Sequence, residues 1–226
     1  MINFQDLCAE RNEFFESRIN ALTPIYMRVY NMPELDPLRF EISLCLLLGL
    51  DQAALTLTNH LTEWFIKLMV IYYETIQKQK DPDPTKSIVT NVSELFKEGI
   101  DSYMGKEMGI IISRAKTLGI ITKDEWKQLD LIRDQYRNSF GHADSNKIFG
   151  NSEVNLTGAK LTDEGIVTEK EKSSEIASLP FLHGRLKIEF ARAHALDYFI
   201  FVDGLIRRTL PKVLPSLGKN TDDINS

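Results

Sequence analysis

The run Arg137-Asn138-Ser139-Phe140-Gly141-His142 places an arginine, an amide and an imidazole close together in the chain. A histidine exchanges protons near neutral pH, an arginine grips a phosphate through two parallel hydrogen bonds, and an amide orients a neighbouring group. This set suits phosphodiester chemistry without a metal ion. On a helical wheel of about 100° per residue, Trp126, Leu129, Ile132, Tyr136 and Phe140 form an inward stripe. Asp134, Asn138 and His142 fall opposite it, toward solvent or a second protomer, and Arg137 lies at the border. Arg133 falls within the stripe, where a guanidinium needs a carboxylate or carbonyl partner, and is expected to be structural. Asn138 and His142 are four apart and so neighbours on a helix, whereas Arg137 and His142 diverge by about 140°. Either the helix breaks at Gly141, or two copies of the chain pool their groups.

The elements that must hold this segment are helical. Thr122 followed by Glu125 is a capping box that starts a helix just before Trp126. Upstream, Ala54, Leu57, Leu61, Trp64, Leu68 and Ile71 recur at steps of three and four, predicting a long buried helix over 52–77. Gly49 separates it from a shorter helix over 37–48, and Asp81-Pro82-Asp83-Pro84 ends it. Further helices are expected over 92–100 and over 102–118, the latter terminated by Gly119. Residues 144–180 turn polar and read as an insertion with at most a small β-hairpin. A last helix over 182–210 carries Leu186, Phe190, Ala193, Leu196 and Ile200 on one face and Phe199, Val202 and Ile206 on a second. Such a helix is central in its own bundle or buried against another subunit. The expected architecture is all-α: an amino-terminal helical extension (1–35), a helical domain (36–213) and a tail (214–226).

The stretch from Leu118-Gly119-Ile120-Ile121-Thr122 through Leu129-x2-Ile132-Arg133-x3-Arg137-Asn138-x3-His142 resembles the HEPN superfamily, the higher eukaryotes and prokaryotes nucleotide-binding domains. Its signature is an arginine, usually followed by a polar residue, with a histidine four to six residues beyond. The resemblance extends to the helix around Ala53-Ala54-Leu55 and Glu63-Trp64-x2-Lys67-Leu68. It implies a HEPN-like helical bundle that dimerises with its motifs face to face. It also implies a metal-independent endoribonuclease of the kind used as a toxin or in phage defence, restrained in some systems by an antitoxin or other partner protein. By resemblance Arg137 would stabilise the phosphate, Asn138 would position groups, and His142 would act as acid or base while the RNA 2'-hydroxyl attacks phosphorus. Some HEPN domains bind without cutting, so a non-catalytic nucleotide-, RNA- or protein-binding dimerisation module stands as the alternative.

Composition narrows the field. With 43% hydrophobic and 26% charged residues the chain of 226 residues can bury a core, which argues against disorder. A net charge of -5 argues against a basic nucleic-acid coat protein. Residues 122–146 hold four cations against five carboxylates, a local charge of -1. In the last helix Arg185, Lys187, Arg192, Arg207, Arg208 and Lys212 oppose Glu189, Asp197 and Asp203, a balance of +3. An RNA substrate is therefore expected along that helix, with Arg185, Lys187 and Arg192 as binding residues. His60, His183 and His194 lack ligand spacing, and no glycine-rich phosphate loop occurs, so no metal and no cofactor is expected. Glu63 and Lys67 are expected to form a solvated helix pair. Two cysteines, a polar start from Met1 to Leu7 and apolar runs (42–50, 64–73) shorter than the ~20 residues of a membrane span predict a cytoplasmic chain with no membrane partner.

Overall fold

The computed structural model describes residues 4–78, 85–137 and 180–215, together with four short strands between 153 and 175. Seven α-helices carry the described core: α1 (Phe4–Met27), α2 (Asp36–Leu47), α3 (Asp51–Gln77), α4 (Ile88–Tyr103), α5 (Met108–Thr117), α6 (Lys123–Ile132) and α7 (Pro180–Val213). The architecture is an all-α bundle. Between α6 and α7, β1 (Glu153–Leu156) pairs antiparallel with β4 (Lys172–Glu175), and β2 (Ala159–Thr162) with β3 (Gly165–Thr168).

The long helices α3 and α7 form the centre. Leu61, Phe65 and Met69 of α3 and Ala195, Phe199 and Val202 of α7 are fully buried. Burying one such phenylalanine stabilises the fold by roughly 1.5–3 kcal/mol. Tyr198 ties the two helices at their polar seam, with its hydroxyl 3.0 Å from Thr62 Oγ1 and 3.0 Å from Asn59 Oδ1. The second apolar face of α7 (Phe199, Val202, Ile206) is fully buried within the bundle, whereas on the first face Leu186, Phe190 and Leu196 are half-buried and Ala193 and Ile200 exposed. No helix of the described residues is long and apolar enough to cross a membrane.

The amino-terminal extension joins the same core through Leu22, Ile25, Tyr30, Met32 and Leu35. Arg18 of α1 donates to Asp51 Oδ1 at 2.5 Å and to the Leu46 carbonyl at 2.9 Å, which binds α1 to the α2–α3 corner. That corner turns on Gly49, at φ +67°. A Cβ there would also meet Phe14 Cδ2 at 2.5 Å, so both backbone conformation and space require glycine. Arg39 of α2 is buried and donates to the carbonyls of Ile25 (2.8 Å) and Tyr26 (2.7 Å), closing the last turn of α1.

The expected boundaries of α2, α3 and the start of α6 agree with the structure within a residue. Those of α4 and α5 do not. Ser87 caps α4 by accepting from Thr90 N at 3.1 Å, so α4 begins before residue 92 and runs on to Tyr103. The helix expected from Ser102 begins at Met108 instead, after a turn whose Met104 carbonyl accepts from Lys67 Nζ at 2.9 Å. The same ammonium donates to Glu63 Oε1 at 2.8 Å with only 11% of the Lys67 side chain exposed. The pair expected to be solvated is therefore half-buried, and it anchors the end of α4 onto α3.

Candidate functional site

Thr122 and Glu125 form the capping box read from the sequence: Glu125 N donates to Thr122 Oγ1 at 3.2 Å and Thr122 N to Glu125 Oε2 at 2.8 Å. The other carboxylate oxygen of Glu125 accepts from Arg208 Nε (3.2 Å) and Nη2 (3.0 Å) on α7. Burial alone raises the pKa of Glu125, but the Thr122 backbone N–H and the Arg208 guanidinium outweigh it and hold the carboxyl below its usual range. Along α6, Leu129 is fully buried while Trp126, Ile132 and Tyr136 pack partly buried against the core, as the stripe requires.

Beyond Ile132 the helix changes type. Arg133–Arg137 is a π-helical turn, in which hydrogen bonds span five residues instead of four. Each such turn takes up one extra residue and rotates the succeeding residues by about 100° relative to an α-helix. The wheel that set Asn138 and His142 opposite the stripe assumed an α-helix through Phe140, so its phase does not carry past the π turn that ends at Arg137. Asp134 is exposed, as expected. Arg137 closes the widened turn. Its side chain, with Asn138 and His142, lies outside the described residues.

Arg133 has the carboxylate partner expected of it, Asp130 Oδ1 at 3.0 Å. Its guanidinium also lies over Gly109 of α5, where a Cβ would collide with Nη1. The guanidinium occupies this place because glycine leaves it open. Among the described residues Arg133 Nε is buried without a hydrogen-bond partner, a costly state for a donor.

Next to the π turn, four rings from two elements meet. Tyr136 stands edge-on to Phe190 (centroids 5.5 Å apart, 78°) and to Tyr198 (5.2 Å, 67°), and nearly parallel to His194 (5.9 Å, 29°). Phe190 and His194 are 4.5 Å apart. Burial, and then the charge of Asp197, raise the Tyr136 pKa, so the phenol stays protonated at neutral pH. Sequence reasoning placed Tyr136 and Phe190 among core stripes and left His194 without a role. The signal available was their spacing, since Phe190 and His194 are four apart on one helix and share a face.

The three cations expected to bind RNA are not equivalent. On the α7 wheel, Lys187 lies within about 20° of His194, on the ring face, whereas Arg185 and Arg192 lie about 160–180° away. Arg192 turns instead to α1, 3.5 Å from Glu10 Oε1 and over the Phe14 ring at 5.2 Å. Arg207 pairs with Asp203 at 2.8 Å and Arg208 with Glu125 at 3.0 Å. Much of the positive balance of α7 is therefore matched by carboxylates within the bundle. Among the described residues no three His, Cys, Asp or Glu side chains converge in a way that could hold a metal ion.

Comparison of the chain with family models, curated proteins and solved structures finds no match. The functional reading therefore rests on these residues and their geometry.

Proposed function

We propose that this chain is a HEPN-type, metal-independent endoribonuclease of the cytoplasm, acting as a homodimer and serving as a toxin or antiviral-defence effector held in check by a partner protein. The observation that carries the reading is the π-helical turn that ends on Arg137, the first residue of the Arg-x4-His motif. Such turns occur often at functional sites, because they break the regular helix and re-aim the side chains beyond them. In this mechanism His142 takes the proton of the attacking 2'-hydroxyl or returns one to the leaving 5'-oxygen, Arg137 holds the charged phosphate, and Asn138 orients the imidazole. The products are a 2',3'-cyclic phosphate and a 5'-hydroxyl.

The test is cleavage of labelled RNA by purified protein in the presence of a chelator. Wild type is expected to yield cyclic-phosphate ends, and His142→Ala and Arg137→Ala each to lose about 10²- to 10⁴-fold in rate with an unchanged thermal midpoint. Equal RNA integrity in all three samples would overturn the reading.

One observation favours a second reading, a non-catalytic helical module that binds nucleotide, RNA or protein. The pairing of Arg192, Arg207 and Arg208 with carboxylates leaves α7 less positive than a nuclease groove requires. That module would form a complex undiminished by His142→Ala.

A further inference from the structure

We propose that the outer face of the α1–α2 hairpin is an interface with a second copy of this chain, the two copies being related by a twofold axis. The surface is separate from the Arg-x4-His motif, and the proposal stands whether or not the chain cuts RNA.

α2 is apolar on both sides. Its buried side carries Ile42 and Leu46 together with Arg39 and Ser43, so its arginine points into the bundle. Its outer side carries Phe40, Leu44 and the capping Leu48, within an arc of about 80°. A helix that is hydrophobic all round belongs in an interior. α1 lies beside it, held at one end by Tyr26 against Phe40, with ring centroids 5.5 Å apart, and at the other by Arg11, which donates to the Leu48 carbonyl. The two helices therefore run antiparallel, and the flank of α1 next to the strip carries Phe15, half-buried Ile19 and Tyr26.

Area and shape select the occupant. Phe15, Tyr26, Phe40, Leu44 and Leu48 are each between 38% and 48% exposed. At about 200 Å² for a fully exposed side chain of this size, they leave roughly 430 Å² of apolar surface open. A standard interface buries about 800 Å² per partner, of which roughly 450 Å² is apolar. The strip supplies the apolar part of one such interface. Phe40, Leu44 and Leu48, at steps of four, form a ridge, and the α1 flank bounds a groove beside it. A twofold axis lays the ridge of each copy in the groove of the other, so the patch is complementary to itself. The exposed charges next in sequence to the strip, Glu16 and Glu41, are carboxylates, which disfavours RNA or an anionic lipid surface as the occupant. On α7 the flank that meets α1 at Arg192 lies about 160° from the His194 flank beside the π turn, so this contact leaves the motif uncovered.

The experiment is sedimentation equilibrium of the full chain over about 1–200 μM. Phe40→Glu and Phe15→Glu, one on each helix, should each halve the mass of the assembly. The dissociation constant should rise about 10²-fold or more, because a twofold axis makes every substitution act twice. Leu44→Met should keep the parent mass, since volume and apolar character are conserved. Ile88→Glu, which places a charge at the exposed apolar start of α4, should leave the mass unchanged. Raising salt from about 0.05 to 0.5 M should hold or tighten the assembly, because it screens Glu16 and Glu41 of the two copies from one another. Circular dichroism melts separate loss of the contact from loss of fold.

A parent chain that is monomeric throughout this range overturns the proposal. So does a parent mass that survives both Phe40→Glu and Phe15→Glu in folded chains, which places any dimer contact on another face. A mass that falls as much with Ile88→Glu, or that is lost at high salt, overturns it as well.

Discussion

Where α1 crosses the α2–α3 corner, Arg18 meets Asp51 and the Leu46 carbonyl, and Arg39 meets Asp36 and two carbonyls of α1. Where α6 widens into the π turn, Arg133 pairs with Asp130, and among the described residues its buried Nε has no partner. The two buried side-chain atoms left without a hydrogen bond among the described residues, Arg133 Nε and Thr209 Oγ1, both belong to the α6–α7 side. The arginines differ in setting as well as in partners: the Arg18 and Arg39 side chains are 9% and 5% exposed, that of Arg133 32%. The first corner is organised for stability, and the second tolerates an unpaired donor beside the candidate site, where local energetic compromise is commonly found.

Three substitutions sharpen that contrast. The largest effect belongs to Arg18→Ala, which strands Asp51 in a pair whose side chains are only 9% and 5% exposed. Urea titration should show a loss of about 3–5 kcal/mol. A loss under about 1 kcal/mol would mean that the corner is no better built than the π turn.

Acid comes next. Glu125 and Glu74 are both held below the usual carboxylate range: burial opposes this, but the Thr122 backbone N–H and Arg208 prevail at Glu125, and Tyr103 and Arg114 prevail at Glu74. A depressed folded pKa gives stability that is complete above the unfolded value and is lost as pH falls through the folded one. Thermal midpoints measured between about pH 6 and pH 3 should therefore fall. Glu125→Gln should lower the midpoint at neutral pH and flatten part of that slope. A slope equal to that of wild type would show that the cap contributes nothing to acid sensitivity.

The smallest effect is expected from Gly109→Ala. The new methyl group collides with Arg133 Nη1, the far end of a flexible side chain, and alanine improves helix propensity by about 1 kcal/mol. The net change in stability should stay within about 1 kcal/mol. A larger loss would show that the Arg133 position is as firmly required as that of Arg18.

How much of this was legible in the sequence depends on the range of the interaction. Gly49, the Asp81-Pro82-Asp83-Pro84 run and the Thr122–Glu125 pair are local signals, and they marked the α2–α3 junction, the end of α3 and the start of α6 because capping and turn geometry act within a few residues. Ser102 misled, because the stronger start lay at Ser87 and the helix it opened did not stop at Ile100. The π turn left no trace, since a step of four from Ile132 to Tyr136 fits an α-helix equally well. Nor does local charge reveal that Arg208 will neutralise Glu125, 83 positions away in the chain. The ring cluster needed both kinds of information, a spacing on α7 that was visible and a partner on α6 that was not.

The carboxylate of Glu125 closes the first turn of α6 and grips α7 at the same time. Sliding α6 along its axis, or rolling it, would break an ion pair and a cap together, so its beginning is moored. Any adjustment to an arriving molecule must then be taken up downstream, where the winding is already loose and the next residue is Asn138.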